Sequence, residues 1–229
     1  MAFLDKISYV LSSDITKDFR LKKQSNINLN ESQAFLDILK KRRSIYKLGK
    51  KLNYTQSQLT ELIQESVRTC PSALHSQSTR VVILYANSHL KFWQLVSQIQ
   101  RQQVPSHIFE GVSVKIDQCA NSYGTVLFYE DANIIGQLQK KKPFDAKEYP
   151  LWAEQTSGMA QLAVWTTLAD AGIGASLQHY NPLIDEAISQ AFNIPKNWIL
   201  KSQLVFGSIE QKIQEKDLMN LEQQFKVFS

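Results

Sequence analysis

The segment Pro71-Ser-Ala-Leu-His-Ser-Gln77 is a proline-opened loop of small and polar residues that runs into the apolar stretch Arg80-Val-Val-Ile-Leu-Tyr85. A loop of this composition can lie against a flat ring and offer it hydrogen bonds. Earlier in the chain, Lys40-Lys-Arg-Arg-Ser44 closes an expected helix. Guanidinium forks and a hydroxyl suit phosphate oxygens, and cations also suit the negative end of a helix dipole. Each segment alone has a plain explanation, a solvated helix end or a loop satisfied by its own backbone. Together they supply a phosphate cradle and a ring platform.

Other chemistries find no support. There is no nucleophile elbow, no Cys/His pair at telling positions and no metal-binding carboxylate set. His75, His89, His107 and His179 are scattered, without metal-ligand spacing. Cys70 and Cys119 form neither a disulfide framework nor a zinc pattern, which points to a reducing, cytoplasmic compartment. The formal charge is +5, from 26 Lys+Arg against 21 Asp+Glu, but the basic clusters are short. A nucleic-acid binder would carry a denser stripe, so no nucleic-acid partner is expected. No apolar run reaches the ~20 residues that span a bilayer, and the N-terminus lacks the pattern of a secretory signal.

Hydrophobic periodicity places these residues on elements. Residues 1–29 stand apart: Phe3, Ile7, Val10 and Leu11 share one face of a short amphipathic helix, and a polar connector follows. Residues 30–229 read as one domain, with no Pro/Gly/Ser-rich linker. Asn30 opens a helix with Gln33 in capping-box position, and Phe35, Ile38 and Leu39 form its apolar face. A second helix starts at Thr55, again with a capping-box glutamine, Gln58.

Val81–Tyr85, Thr125–Tyr129 and Ile199–Phe206 read as strands, the first two as continuous apolar runs buried on both faces. Ala175–Tyr180 is a further extended segment, and Phe225–Phe228 is a candidate strand at the tail. Helices are expected over 88–101, 132–140 and from Tyr149 to about Ala171. The last of these has no clearly polar face in its second half, which suits a helix central to a core. Another helix is expected to start at Asn181-Pro182. The order is that of an α+β or α/β layered domain.

Six segments, in order, resemble the FMN-dependent nitroreductase family, and within it the fungal and lactic-acid-bacterial (copper-induced type) nitroreductases. They are Lys41-Arg-Arg-Ser-Ile-Tyr46, Pro71–Gln77, Tyr123-Gly-Thr-Val-Leu-Phe-Tyr-Glu-Asp131, Trp152–Gln161, Gly172-Ile-Gly-Ala-Ser-Leu-Gln-His-Tyr-Asn-Pro182 and Gln203-Leu-Val-Phe-Gly207. The resemblance covers about residues 31–229. It implies an α+β nitroreductase-like layered fold, with a central mixed or antiparallel sheet flanked by helices. It also implies a homodimer with FMN at the interface. Electrons would pass from NADH or NADPH to nitroaromatic or quinone-like acceptors by ping-pong hydride transfer. Catalysis would rest on FMN, with no catalytic side chain and no metal.

Residue by residue, the resemblance assigns Arg42, Arg43 and Ser44 to the ribityl phosphate. Tyr46 stands where many members carry Lys or Arg near the flavin pyrimidine edge. Pro71, Ser72, Ala73 and His75, followed by Gln77, match the loop that crosses from the partner subunit, with His75 where Asn is usual. Ala175, Ser176, Leu177 and Gln178 match the segment beside the reactive flavin nitrogen. Lys216 is assigned to the phosphate, whereas Gln224 stands where an Arg is expected. Tyr129, Phe144, Tyr149, Trp152, His179 and Tyr180 are candidates for the acceptor pocket, with core packing as the alternative for the aromatics. The departures at Tyr46, His75 and Gln224 leave a second reading: a flavin-binding redox or stress-response protein without broad reductase activity.

Overall fold

The computed structural model describes residues 29–211, 213 and 217–228. Contacts divide the chain into two units, Met1–Leu39 and Lys40–Ser229. The expected helix at Phe3–Leu11 lies outside the described residues. Helix α1 (Leu29–Lys41) begins one residue before Asn30, and the Gln33 amide donates forward to Asp37 Oδ1 (2.8 Å). Phe35, expected on its apolar face, is exposed.

The second unit is built on one sheet. Its strands are β1 (Leu48–Gly49), β2 (Thr79–Tyr85), β3 (Gly124–Asp131), β4 (Gly174–Gln178) and β5 (Trp198–Ile209). They run in the order β1-β5-β3-β2, with β4 also on β5, and every ladder is antiparallel. All eight residues of β3 are buried. Side chains alternate across a strand, so β3 faces two cores. Val126 and Phe128 pack with Leu59, Ile63, Val164 and Leu168. Leu127 and Tyr129 pack with Phe92, Trp93, Ile116 and Ile188. One layer therefore holds α2 (Gln56–Arg68) and α6 (Tyr149–Asp170); the other holds α3 (Ala86–Gln103), α4 (Ser106–Ala120) and α7 (Asp185–Phe192). Among the described residues, two further helices are α5 (Ala132–Lys141) and α8 (Leu221–Gln224). The α+β layered sheet expected from the sequence is the fold observed.

Local chemistry sets the ends. The expected capping box of α2 is complete: Gln58 N–H donates to Thr55 Oγ1 (3.2 Å), and Thr55 N–H donates to Gln58 Oε1 (2.9 Å). Helix α6 stops at Gly172, whose φ of +75° lets Ile173 N–H reach back to Leu168 O (2.9 Å). Helix α7 ends at Asn193, also left-handed, with Ile194 N–H on Ser189 O (2.9 Å). Its start corrects the expectation at Asn181-Pro182: residues 181–184 form turns, and the helix begins at Asp185. Phe225–Phe228 forms no strand, and its three apolar side chains are exposed. Helix α4 has no counterpart among the expected elements. No helix among the described residues is long and apolar enough to cross a membrane.

Two close contacts fix neighbouring elements to one another. Gly207 lets β1 approach β5, since a Cβ there would run into Gly49 O and lie 3.1 Å from Tyr123 N. His89 is buried between α3 and β3. Trp93 Nε1–H donates to Thr125 Oγ1 (3.0 Å), the Thr125 hydroxyl meets His89 Nδ1 (2.9 Å), and His89 Nε2 meets Ala120 O (3.1 Å). A carbonyl can only accept, so Nε2 carries the proton and Nδ1 accepts from Thr125. Burial, with a smaller push from Lys50, lowers the His89 pKa to about 4.

Two expectations follow. An unfolded histidine takes its proton near pH 6.5 and the folded one only near pH 4. The unfolded state then binds more protons between those values, and stability falls as pH drops through that window, by up to roughly 3 kcal/mol. Urea unfolding at pH 7.5 and pH 4.5 measures this loss, and His89→Gln should remove most of it. Gly207→Ala should force β1 off β5 and lower Tm by roughly 3–10 °C, as read by calorimetry.

Candidate functional site

The basic corner and β4 are joined by backbone. After α1 the chain turns through Arg42–Ser44, and Ser44 forms an isolated parallel bridge with Ala175. Ile45 N–H donates to Ala175 O (2.9 Å). The corner is therefore fixed to a strand that β5 holds from its other side through Gln203–Gly207. The Arg42 guanidinium carbon lies 4.5 Å from the centroid of the Trp165 ring, a cation–π contact that orients the fork. Arg43 lines a cavity of about 220 Å³ with Lys41, Ile45 and Gly174. Tyr46 is 57% exposed, with its ring free of the core. Within β4, Ala175 packs in the α2/α6 core, and Gln178 Nε2–H donates to Ser176 Oγ (3.1 Å). The structure thus joins Ser44 and Ile45 directly to Ala175, with Arg42, Arg43 and Tyr46 flanking that junction in the chain and Ser176, Leu177 and Gln178 continuing β4 from it.

The polar loop forms a second group. Ala73–His75 is a single 3₁₀ turn, and Leu74, His75 and Gln77 hold φ of +53°, +53° and +50°. Three left-handed non-glycine residues within four positions are strained backbone, of the kind that persists only where the surroundings hold it. The holding contacts are local and tertiary. His75 N–H donates to Ser72 O (2.9 Å), Gln77 N–H to Ser72 Oγ (3.0 Å), and Ala73 N–H to Thr156 Oγ1 on α6 (3.4 Å). The Gln77 side-chain amide meets His75 Nε2 at 2.9 Å. Pro71, Ser72 and Gln77 line a cavity of about 460 Å³ with Arg68, Cys70, Arg80 and Thr156. No residue of the basic corner or of β4 lines it.

Beside the loop lie two acids, Glu130 and Asp131, which the family resemblance includes in its third segment without assigning them a role. Glu130 is 1% exposed, and its two oxygens accept from Ser78 Oγ and Thr79 Oγ1, each at 2.6 Å. Asp131 accepts from Arg80 Nη2 (3.1 Å), Asn197 Nδ2 (2.7 Å) and Asn133 N–H (3.0 Å), which caps α5. Arg80 Nη1 donates to Gln77 O (2.7 Å). Burial raises the Glu130 pKa, and the two hydroxyls oppose the shift. The signal available in the sequence was the Ser78-Thr79 hydroxyl pair at the loop exit, placed against an acid pair at the end of an apolar strand.

The expected acceptor-pocket residues do not form one wall. Tyr129 is 1% exposed and belongs to the core, its ring 6.0 Å from Trp198. It cannot line an open pocket in this conformation, because β3 is covered on both faces. Tyr180 is half-buried and packs edge-on against Trp93 (5.6 Å). Tyr149 is buried against a half-buried Trp152 (5.2 Å). Phe144 is 98% exposed on the turn after α5, and His179 is exposed beyond β4. Lys216 lies outside the described residues, and Gln224 is exposed at the end of α8. Among the described residues no group of His, Cys, Asp and Glu is placed to hold a metal ion.

The family model described as "Nitroreductase family" matches residues 39–208. Nitroreductase FRM2 of Saccharomyces cerevisiae is 30% identical over 189 residues, 81% of this chain and 93% of that protein. The structure of nitroreductase CinD from Lactococcus lactis in complex with chloramphenicol superposes with a TM-score of 0.79 at 39% identity, over 85% of this chain and all of that one. A Desulfovibrio desulfuricans protein crystallised with FMN shares the fold, with a TM-score of 0.60 at 15% identity, over 85% of this chain and 98% of that one. The family model, the yeast relative and the lactococcal structure each cover most of this chain, and this chain belongs to the nitroreductase family of oxidoreductases.

Proposed function

We propose that this chain is an FMN-dependent oxidoreductase that takes electrons from NADH or NADPH and passes them, in ping-pong order, to nitroaromatic or quinone-like acceptors. The observation that carries the reading is the fusion of the basic corner at Arg42–Ser44 to β4 by the Ser44–Ala175 bridge. That corner has the donor chemistry a flavin phosphate requires: two guanidinium groups and a hydroxyl at Arg42, Arg43 and Ser44. Segment 175–178 would then flank the ring, and Tyr46 would offer a phenol at its polar edge. Bound FMN supplies the hydride chemistry that no side chain here supplies. The protein's part is to bind it, orient it and exclude water. The CinD complexes with chloramphenicol and 4-nitrophenol support small aromatic acceptors.

The site is completed in a homodimer. The second residue group, at Pro71–Gln77, would serve the flavin of the partner subunit. Three surfaces support this. On α6, Leu151, Met159 and Leu162 are exposed along one stripe, and a Cβ at Gly158 in the same stripe would meet open space. Apolar side chains exposed beside Glu154 and Gln155 on the outer side of a helix want a cover, and a glycine there lets a second helix approach closely. The segment 217–228 exposes Leu218, Met219, Leu221, Phe225, Val227 and Phe228, and β2 is the edge of the sheet. Two unpaired thiols, one of them buried, suit the reducing cytoplasm.

The purified protein should show a flavin absorbance spectrum that bleaches anaerobically with NADH or NADPH and recovers on adding 4-nitrophenol. Flavin that neither donor bleaches would instead favour the redox or stress-response reading, and a colourless protein that takes up no FMN would refute both. Arg42→Ala and Arg43→Ala should each weaken FMN binding by about 10–100-fold, the worth of a charge-assisted hydrogen bond, in a fluorescence titration. Light scattering should find a dimer, and Leu162→Glu should yield monomer with weakened flavin retention. A Leu162→Glu dimer with intact flavin would remove α6 from the interface.

A further inference from the structure

We propose that Glu130 is a positioning residue: as a carboxylate it holds the Pro71–Gln77 loop in its left-handed conformation through Ser78 and Thr79, and thereby sets how firmly the loop retains flavin. The second half of this inference rests on the function proposed above; the first half does not.

The geometry carries it in three steps. First, both Glu130 oxygens are taken by hydroxyl donors at 2.6 Å, within the range of O–H···O⁻ bonds to an ionised acceptor. A carboxylate accepts at both oxygens, whereas a carboxylic acid must donate from one. Second, Ser78 and Thr79 are consecutive, and they are the residues through which the strained loop enters β2. Anchoring two adjacent side chains to one buried group restricts rotation of the backbone between them. Third, the neighbouring contacts act in the same sense. Ser78 O accepts from Asp131 N–H (2.9 Å), and Gln77 O accepts from Arg80, which Asp131 holds. Gln77, Ser78 and Thr79 are thus all fastened to the end of β3, directly after His75 and Gln77 adopt positive φ.

Glu130 makes no direct ion pair among the described residues. Lys201 of β5 lies near enough to favour its charge but is bonded to Glu154 of α6, which disfavours it. A charge buried without a contacting cation is costly, and an apolar residue would serve the sheet equally well. What the carboxylate adds is its hold on the loop.

The test compares wild type, Glu130→Gln, Thr79→Val and the double variant in the full chain. Amide hydrogen exchange of residues 72–77 and the rate of FMN dissociation are measured, with β3 and β5 amides as the internal reference. In Glu130→Gln the loop amides should exchange about tenfold faster and FMN should leave about tenfold faster, as expected for loss of one charge-assisted bond. Reference amides should stay unchanged. Thr79→Val should act in the same direction, and the double variant should be no worse than Glu130→Gln, since both cut one linkage. Loop exchange unchanged in both single variants, or strictly additive effects, would overturn the clamp. A loosened loop with unchanged FMN release would overturn its role in flavin retention. If Glu130→Gln also loosens the reference amides, Thr79→Val alone decides. Should wild type take up no FMN, the proposed function fails, and the exchange data still decide whether Glu130 holds the loop.

Discussion

Strand β5 is the member on which the rest of the molecule depends. Its backbone serves β3 along one edge and both β4 and β1 along the other, and its residues from Ser202 to Gly207 are buried. A strand with neighbours on both edges and helices on both faces has no freedom of register, because a one-residue slip would exchange the two cores. The register then passes to everything attached. The basic corner reaches the sheet through β4, and β1 reaches it at Ile209 and Ser208.

Most of that framework was legible in the sequence. Continuous apolar runs announce β2 and β3, and in β3 all eight residues are buried, because burial on both faces erases the alternation that a half-exposed strand would show. The Thr55/Gln58 capping box fixed the start of α2 by chemistry alone. Helix α4 was harder to read: Ser106 to Ala120 exposes Ile108 and Val114 while burying Ile116 and Cys119, which blurs its apolar stripe. The start of α7 was misplaced because Pro182 suits a first helical position equally well in a turn. For helix α6 the sequence shows only that its second half has no clearly polar face, which suits a place central to a core. Whether its outer side meets its own chain or another is a tertiary fact.

The functional residues divide along the same line. Local chemistry at Arg42–Ser44 and Pro71–Gln77 was visible because special tasks need special residue types close together in the chain. The acid network was not, because its partners lie 51 or 52 positions apart, at Thr79 and Ser78 against Glu130. Tyr129 shows the converse. Its residue type suggests stacking on a substrate, yet its place in the β3 alternation buries it against Trp198. In both cases strand pairing, not residue character, decided what the side chain touches.

The bond from Ile45 N–H to Ala175 O is made entirely of main chain. It works as a ruler: the separation between the corner and β4 is written in peptide geometry and does not depend on which side chains the corner displays. Substitution at Arg42, Arg43 or Tyr46 can retune charge and hydrogen bonding there while the spacing stays constant. The corner is therefore free to change its chemistry without any need to rebuild its architecture.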